Sequence, residues 1–378
     1  MNHRHQFLWF DLIRGVSALL VCAGHLRSAI MADYGDVQQP GPWHALFYLL
    51  TGFGHQAVMV FFVLSGFFVG GSVLRQAGTF SAKQYAIARL TRLWIVLIPA
   101  LVFTAVIDSL VRSLDAGVLT GAYWNIWNSG PQSAESFSDS FGAFMGNCAF
   151  LQTIVVPVFG VNGPLWSLAN EFWYYVLFPC LACSCLEPAR FFQFRVRLWA
   201  GLCGLVVLAL LPRGMCLGFL VWLLGVVVWR FRASSPQRFH RRLWVAFGLL
   251  FFLAAMAYSK SAIWQLRLGL PEDLATGLTF GVLAVSLAWT PVPQSVPSVC
   301  IAAARRLADF SYSLYIVHFP VVLLIAVGFY HSKKMQPDLT GWLQWLAWFC
   351  TLLLTGLAFW WCFEKRTETL RRLITSKA

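Results

Sequence analysis

The chain reads as all-α: a polytopic transmembrane helical bundle of about ten spans, with its N- and C-termini in the cytoplasm. Three observations lead there. Of 378 residues, 59% are hydrophobic and only 11% charged, whereas a soluble domain carries about a quarter charged residues. So few charges cannot cover a water-facing surface, and lipid must serve as solvent. The apolar residues fall in runs of about 20, the length that crosses a hydrocarbon core about 30 Å thick. Finally, the basic residues gather in alternate connections between those runs, as they do in cytoplasmic loops.

In chain order the apolar runs are 8–30, 47–71, 92–111, 142–158, 164–186, 197–212, 214–231, 243–259, 275–291, 307–330 and 342–363. These make eleven candidates, and the loop charges choose among them. The connection after the second run holds Arg75, Lys83, Arg89 and Arg92, so it belongs inside. The connections 31–46 and 112–141, rich in Asp, Ser, Gly and Trp, belong outside. If 142–158 crossed fully, every later basic loop would face outward. With 142–158 as a re-entrant or interfacial segment, twenty of the 28 Lys and Arg lie inside, from Arg4 to Lys377. Seven, among them Lys260 and Arg267, then lie outside, and Arg14 sits within the first span. Pro157, Gly160, Gly163 and Pro164 break the chain just before the next span, as a turn requires. Non-helical backbone at membrane depth is tolerated only beside protein or a wet cavity, which sets this segment next to an outer site.

The formal charge of +13 is spread between apolar runs and sets topology; no compact basic domain suggests nucleic acid as a partner. The ten cysteines lie mostly inside apolar runs. The cluster Cys180, Cys183 and Cys185 lacks a second ligand group of matching spacing, so helix packing is expected and a metal is not. The first run carries Asp11, Arg14 and His25 and reads as a retained span, not a cleaved signal peptide. Residues 1–378 are expected to form a single integral-membrane domain without a separate soluble one.

Ionisable side chains inside spans are costly and raise functional hypotheses. From Arg14 to His25, eleven helical steps bring the two residues within about 20° of one face, with a rise of about 16 Å. Asp11 lies on the same side, so the first span has a polar stripe. An Asp11–Arg14 pair with a hydrogen-bonded histidine is the plain alternative. Glu171, about two turns into the span from 164, needs a partner such as His25 or an arginine. Ser65 and the glycines of FFVLSGFFVGG permit close helix packing or ligand contact. Arg89 and Arg92 enter the third span from the cytoplasm, suited to topology, lipid head groups or phosphates. In DFSYSLYIVHFPV, Ser311, Tyr315 and His318 share a face. They suit either a site or an interhelical hydrogen-bond network.

Taken together, FDLIRGVSALLVCAGH, FFVLSGFF, ARLTRLW, GPLWSLANEFWYY and FSYSLYIVH resemble, in order and spacing, acyltransferase family 3 of integral membrane proteins. The resemblance covers nearly the whole chain. It implies an enzyme of the bacterial inner membrane that takes an acyl group, usually acetyl, from cytoplasmic acetyl-CoA. The acceptor is implied to be a carbohydrate hydroxyl at the periplasmic face, on a lipid-linked or cell-surface glycan. The family's first-span Arg and His match Arg14 and His25, and its Arg pair resembles Arg89 and Arg92. Its fourth-span Glu looks like Glu171, and its late Ser-Tyr and His look like Ser311, Tyr312 and His318. Two positions depart from the family pattern: the first proline after Arg92 is Pro99, and Asn170 precedes Glu171.

These readings combine into one expectation. Arg89, Arg92 and Arg14 hold the phosphates of CoA, and the pantetheine arm reaches along the stripe towards His25 through a tunnel. His25 takes the proton of the acceptor hydroxyl, and Glu171 orients it or stabilises its cation. Asp11, Ser65, Ser311, Tyr312 and His318 support the substrates. Direct transfer is expected because no serine-nucleophile motif is visible. The competing reading is a transporter or flippase for a polar lipid or glycan. Such folds show related halves, and no internal repeat is found. Tyr123, Trp124 and Trp127 offer aromatic surface, either for sugar stacking or for an interface belt.

Overall fold

The computed structural model describes residues 7–127, 136–259, 270–293 and 295–376. It describes their side chains except at 124, 125, 187, 188, 238, 239, 270 and 271. Arg4, Lys260, Arg267 and Lys377, and part of the connection 112–141, lie outside the described residues.

Helices dominate the described residues. In order, α1 spans Leu8–Ile30, α2 Pro42–Leu50, α3 Gly54–Ser65, α4 Gly71–Arg75, α5 Ala82–Leu114, α6 Trp124–Trp127, α7 Phe141–Cys148 and α8 Leu165–Cys185. Then follow α9 Phe194–Leu210, α10 Arg213–Phe231, α11 Arg238–Ser259, α12 Leu270–Ala288, α13 Ser298–Gly328, α14 Leu339–Cys362 and α15 Thr367–Ser376. A π-helical turn, Gly66–Gly70, joins α3 to α4. Seven helical stretches among the described residues are long and apolar enough to cross a membrane; nine of the ten runs read as spans each coincide with one helix, while the run 47–71 is shared by α2, α3, the π-helical turn and α4. Apolar side chains project outward along them, Leu205, Leu250 and Leu354 among them. A soluble protein would bury such surface. The protein is a multi-pass membrane protein.

The eleventh run behaves differently. Its helix, α7, has eight residues, a rise of about 12 Å, too short to cross. Ser140 caps it by accepting from the Ala143 N–H at 3.1 Å. Phe150 and Thr153 then turn the backbone through positive φ. The chain returns as β2 (Val158–Phe159), parallel to β1 (Phe137–Ser138), with Phe137 opposite Val158. Buried side chains satisfy this irregular backbone. Asn147 donates to the Ala143 and Pro157 carbonyls at 2.8 and 3.0 Å and accepts from the Phe159 N–H at 3.1 Å. Gln152 donates to the Leu165 carbonyl at 2.9 Å. Backbone that leaves the helix in an apolar setting needs such partners.

The described residues divide into two compact units. The first comprises 1–17, 55–82 and 170–308, and the second 18–54, 83–169 and 309–378. Helices α1, α8 and α13 contribute residues to both. In the first unit the π-turn is a packing device. A Cβ at Gly66 would strike the Trp222 carbonyl, and one at Gly225 would strike the Val63 carbonyl. The π-turn and α10 therefore meet backbone to backbone, the close approach expected of small residues in membranes.

Candidate active site

The second unit holds the densest group of expected site residues. Arg89 and Arg92 stand one turn apart near the start of α5, Arg92 exposed and Arg89 half-buried over the Tyr85 ring at 5.5 Å. Next to them, Tyr312 of α13 donates to the Leu93 carbonyl at 3.0 Å. Ser313 closes that end, its N–H and hydroxyl both donating to the Glu364 carboxylate, at 3.2 and 2.6 Å. Ser311 is buried.

Six residues beyond Tyr312, about 9 Å along the helix, His318 is wholly buried. Its Nε2 lies 2.8 Å from Nδ1 of His25. The two rings are near-parallel, 5° apart with centroids at 5.1 Å, and the Phe319 ring packs edge-on against His25, centroids 4.9 Å apart and 76° from its plane. On its far side His318 Nδ1 faces the carbonyls of Tyr315 and Leu314, at 2.8 and 3.1 Å. His25 is only half-buried. Among the described residues its Nε2 has no hydrogen-bond partner.

The turn predicted from Pro157, Gly160, Gly163 and Pro164 wraps this end of α13. Pro320, inside the helix, has no N–H, so the Ile316 carbonyl loses its usual helical donor. Asn162, wholly buried, supplies one at 2.9 Å and also donates to the Thr104 hydroxyl at 3.2 Å. Ser167 and Tyr315 share a hydroxyl hydrogen bond of 2.6 Å. Asp108, buried within α5, accepts from the Val161 N–H at 3.2 Å. Gly160, at φ +57°, lies so close that any Cβ there would meet the Asp108 carboxylate. Asn147, Gln152, Asn162 and Asp108 escaped the sequence reading. Asp108 carried the same signal as Asp11, an ionisable residue within a span, and the amides carried none that a linear pattern isolates.

In the first unit Arg14 pairs with Asp11 at 3.4 Å, as the plain reading of the stripe expected. Glu171 accepts from the Tyr175 hydroxyl at 2.5 Å. Tyr175 in turn accepts from Ser65 at 3.3 Å, and Ser65 accepts from the Trp222 indole N–H at 3.1 Å. Every donor in this chain points the same way, towards the Glu171 carboxylate. Ser65, a residue of uncertain purpose in the sequence, is thus a link to Glu171 at the edge of the π-turn.

Residues 7–364 match the acyltransferase domain of acyltransferase family 3. The chain belongs to that family. It is also 23% identical to an O-acetyl transferase of Shigella phage Sf6 over 367 residues, covering 91% of this chain and 94% of the relative. No solved structure matches. As an acyltransferase of this family, the chain moves an acyl group from a donor to an acceptor. One aromatic expectation is corrected. Trp127 is buried, 1% exposed, beneath the stacked ring of Tyr123 at 4.9 Å. It packs the loop after α5 and offers no open platform for a sugar. The side chain of Trp124 lies outside the described residues.

Proposed function

We propose that this family member is a membrane O-acetyltransferase, moving acetyl from cytoplasmic acetyl-CoA to a hydroxyl of a lipid-linked or cell-surface carbohydrate at the periplasmic face. The observation that carries the proposal is His25, held at one ring nitrogen and free at the other, in a chain of an acyltransferase family. Arg89, Arg92 and Arg14 bind the CoA phosphates, the arginines as charge-assisted donors. The protein spans the bacterial inner membrane ten times with both termini inside. The segment from α7 to β2 rests in the outer interface, as its exposed Phe141, Met145 and Val155 favour.

In the reaction His25 accepts the proton of the acceptor hydroxyl as the oxygen attacks the thioester carbonyl. The tetrahedral intermediate collapses with cleavage of the C–S bond, and the thiolate leaves with the proton returned by His25. The products are the acetyl ester and CoA thiol. Glu171, its carboxylate oriented through Tyr175, Ser65 and Trp222, serves the same transfer. Asp11 keeps Arg14 extended, and Ser311, Tyr312 and His318 hold α13 in register.

The test supplies membranes bearing the protein with radiolabelled acetyl-CoA and follows label into the glycan fraction. A general base contributes about 10²–10⁴-fold, so His25→Ala and His25→Gln should lose transfer by at least a hundredfold at equal protein level. Arg14→Ala should raise the acetyl-CoA concentration needed. Unchanged labelling in the His25 variants overturns the enzyme reading of this histidine. Label trapped on the protein itself in the absence of acceptor would replace direct transfer by an acyl-enzyme.

A further inference from the structure

The ring nitrogens of His25 and His318 can share only one proton at 2.8 Å, and the surroundings decide where it sits. The Tyr315 and Leu314 carbonyls, at 2.8 and 3.1 Å from His318 Nδ1, can only accept. A bare lone pair on that nitrogen would face two oxygens within a fully buried pocket, a desolvated polar atom with no partner. His318 Nδ1 therefore carries a hydrogen. In the neutral ring Nε2 is then the acceptor, and the proton between the rings belongs to His25 Nδ1. By elimination the lone pair of His25 is on Nε2, the nitrogen without a partner among the described residues.

We infer that His318 is a positioning residue that locks His25 in its Nδ1–H tautomer and so makes Nε2 the basic atom. This deepens the proposed acetyl transfer and rests on that reading for its catalytic meaning. Free imidazole side chains in water favour the opposite tautomer, with hydrogen on Nε2, which would present a donor where the reaction needs an acceptor. A carboxylate commonly imposes the tautomer in other enzymes. Here a second, neutral imidazole backed by two helix carbonyls does so. When Nε2 takes up the hydroxyl proton, the His25 cation still donates through Nδ1 to His318. The charge is thus steadied by a dipole chain running back into α13. The chain is short because Nδ1 reaches carbonyls three and four residues earlier on its own helix. The near-parallel rings and the packed Phe319 leave His25 little freedom to flip.

The test labels the full-length protein with ¹⁵N-histidine in lipid nanodiscs and reads the two His25 nitrogens, assigned by difference from His25→Gln. The expected spectrum has His25 protonated at Nδ1 and bare at Nε2, with scalar coupling across the hydrogen bond to His318. His318→Ala should return His25 to the Nε2–H form and cut acetyl transfer at saturating acetyl-CoA by at least tenfold, with KM little changed. His318→Gln, whose amide oxygen can accept from Nδ1–H, should recover part of both. A wild-type His25 protonated at Nε2 overturns the inference, and this reading stands even if His318→Ala does not fold. An unaltered tautomer in a folded His318→Ala protein overturns it as well. If the tautomer is as inferred and wild type transfers no acetyl, the proposed function fails and the dyad survives.

Discussion

Replacing Asn162 by alanine removes the donor that a proline-interrupted helix depends on. The amide serves the Ile316 carbonyl at 2.9 Å, which Pro320 leaves without its own helical N–H. Thr104 is less affected, because its hydroxyl still donates to the Ala100 carbonyl at 2.8 Å. The loss is thus one buried, unsatisfied carbonyl. Leaving such a group costs about 1–3 kcal/mol in soluble proteins, while side-chain bonds within membrane proteins average about 0.6 and reach about 1.7 kcal/mol. Asn162 is wholly buried, so the upper part of the membrane range applies, about 1.5 kcal/mol. The cause can be isolated with Pro320→Ala, which returns an N–H to α13 within reach of the same carbonyl. In that background Asn162→Ala should cost about 1 kcal/mol less. Reversible unfolding in bicelles by SDS titration measures all four corners of the cycle. Additivity within about 0.3–0.5 kcal/mol, the limit for uncoupled sites, would refute the account of Pro320 and Asn162.

Gly160→Ala should destabilise the turn before α8 by about 2 kcal/mol. It adds the left-handed penalty of about 1–2 kcal/mol to a collision with Asp108, and an unchanged melting temperature would contradict this. Tyr123 donates to the Asp115 carboxylate, and that bond holds its phenol pKa above the usual tyrosine value. Since the bond needs a protonated phenol, what it contributes is present below the ordinary value, about 10, and is lost as pH rises through the raised one. The ultraviolet difference spectrum between wild type and Tyr123→Phe should therefore titrate above free tyrosine, and Asp115→Asn should bring it down. Glu171→Gln should lower acetyl transfer while Trp222→Phe lowers it less, since Trp222 acts only through Ser65 and Tyr175. Equal losses would argue against a relay.

The helices were legible because their cause is local. Hydropathy over about 20 residues and the charge of adjoining loops outlined each long helix, and the broken run at 142–158 announced itself by Pro157, Gly160, Gly163 and Pro164. Helical geometry also put Arg14, Asp11 and His25 on one side of α1, and the Arg14–Asp11 pair is present. The irregular segment was harder to read. Asn147 and Gln152 serve backbone groups within 13 residues, but Asp108 meets the Val161 N–H from 53 residues away and Asn162 meets the Ile316 carbonyl from 154, so no window of sequence brings those donors and acceptors together. Ser65 illustrates the same limit. In sequence it is a small residue beside glycines, and only packing against α8 and α10 makes it a link between Trp222 and Tyr175.

By itself the sequence determined a membrane-embedded all-α chain, its family resemblance and a histidine on the polar face of the first span. The state of that histidine was decided by tertiary structure alone. A helical stripe follows from rotation per residue, which any stretch of chain contains. The proton on an imidazole follows from the partner each nitrogen meets, and the partner of His25 is 293 residues away.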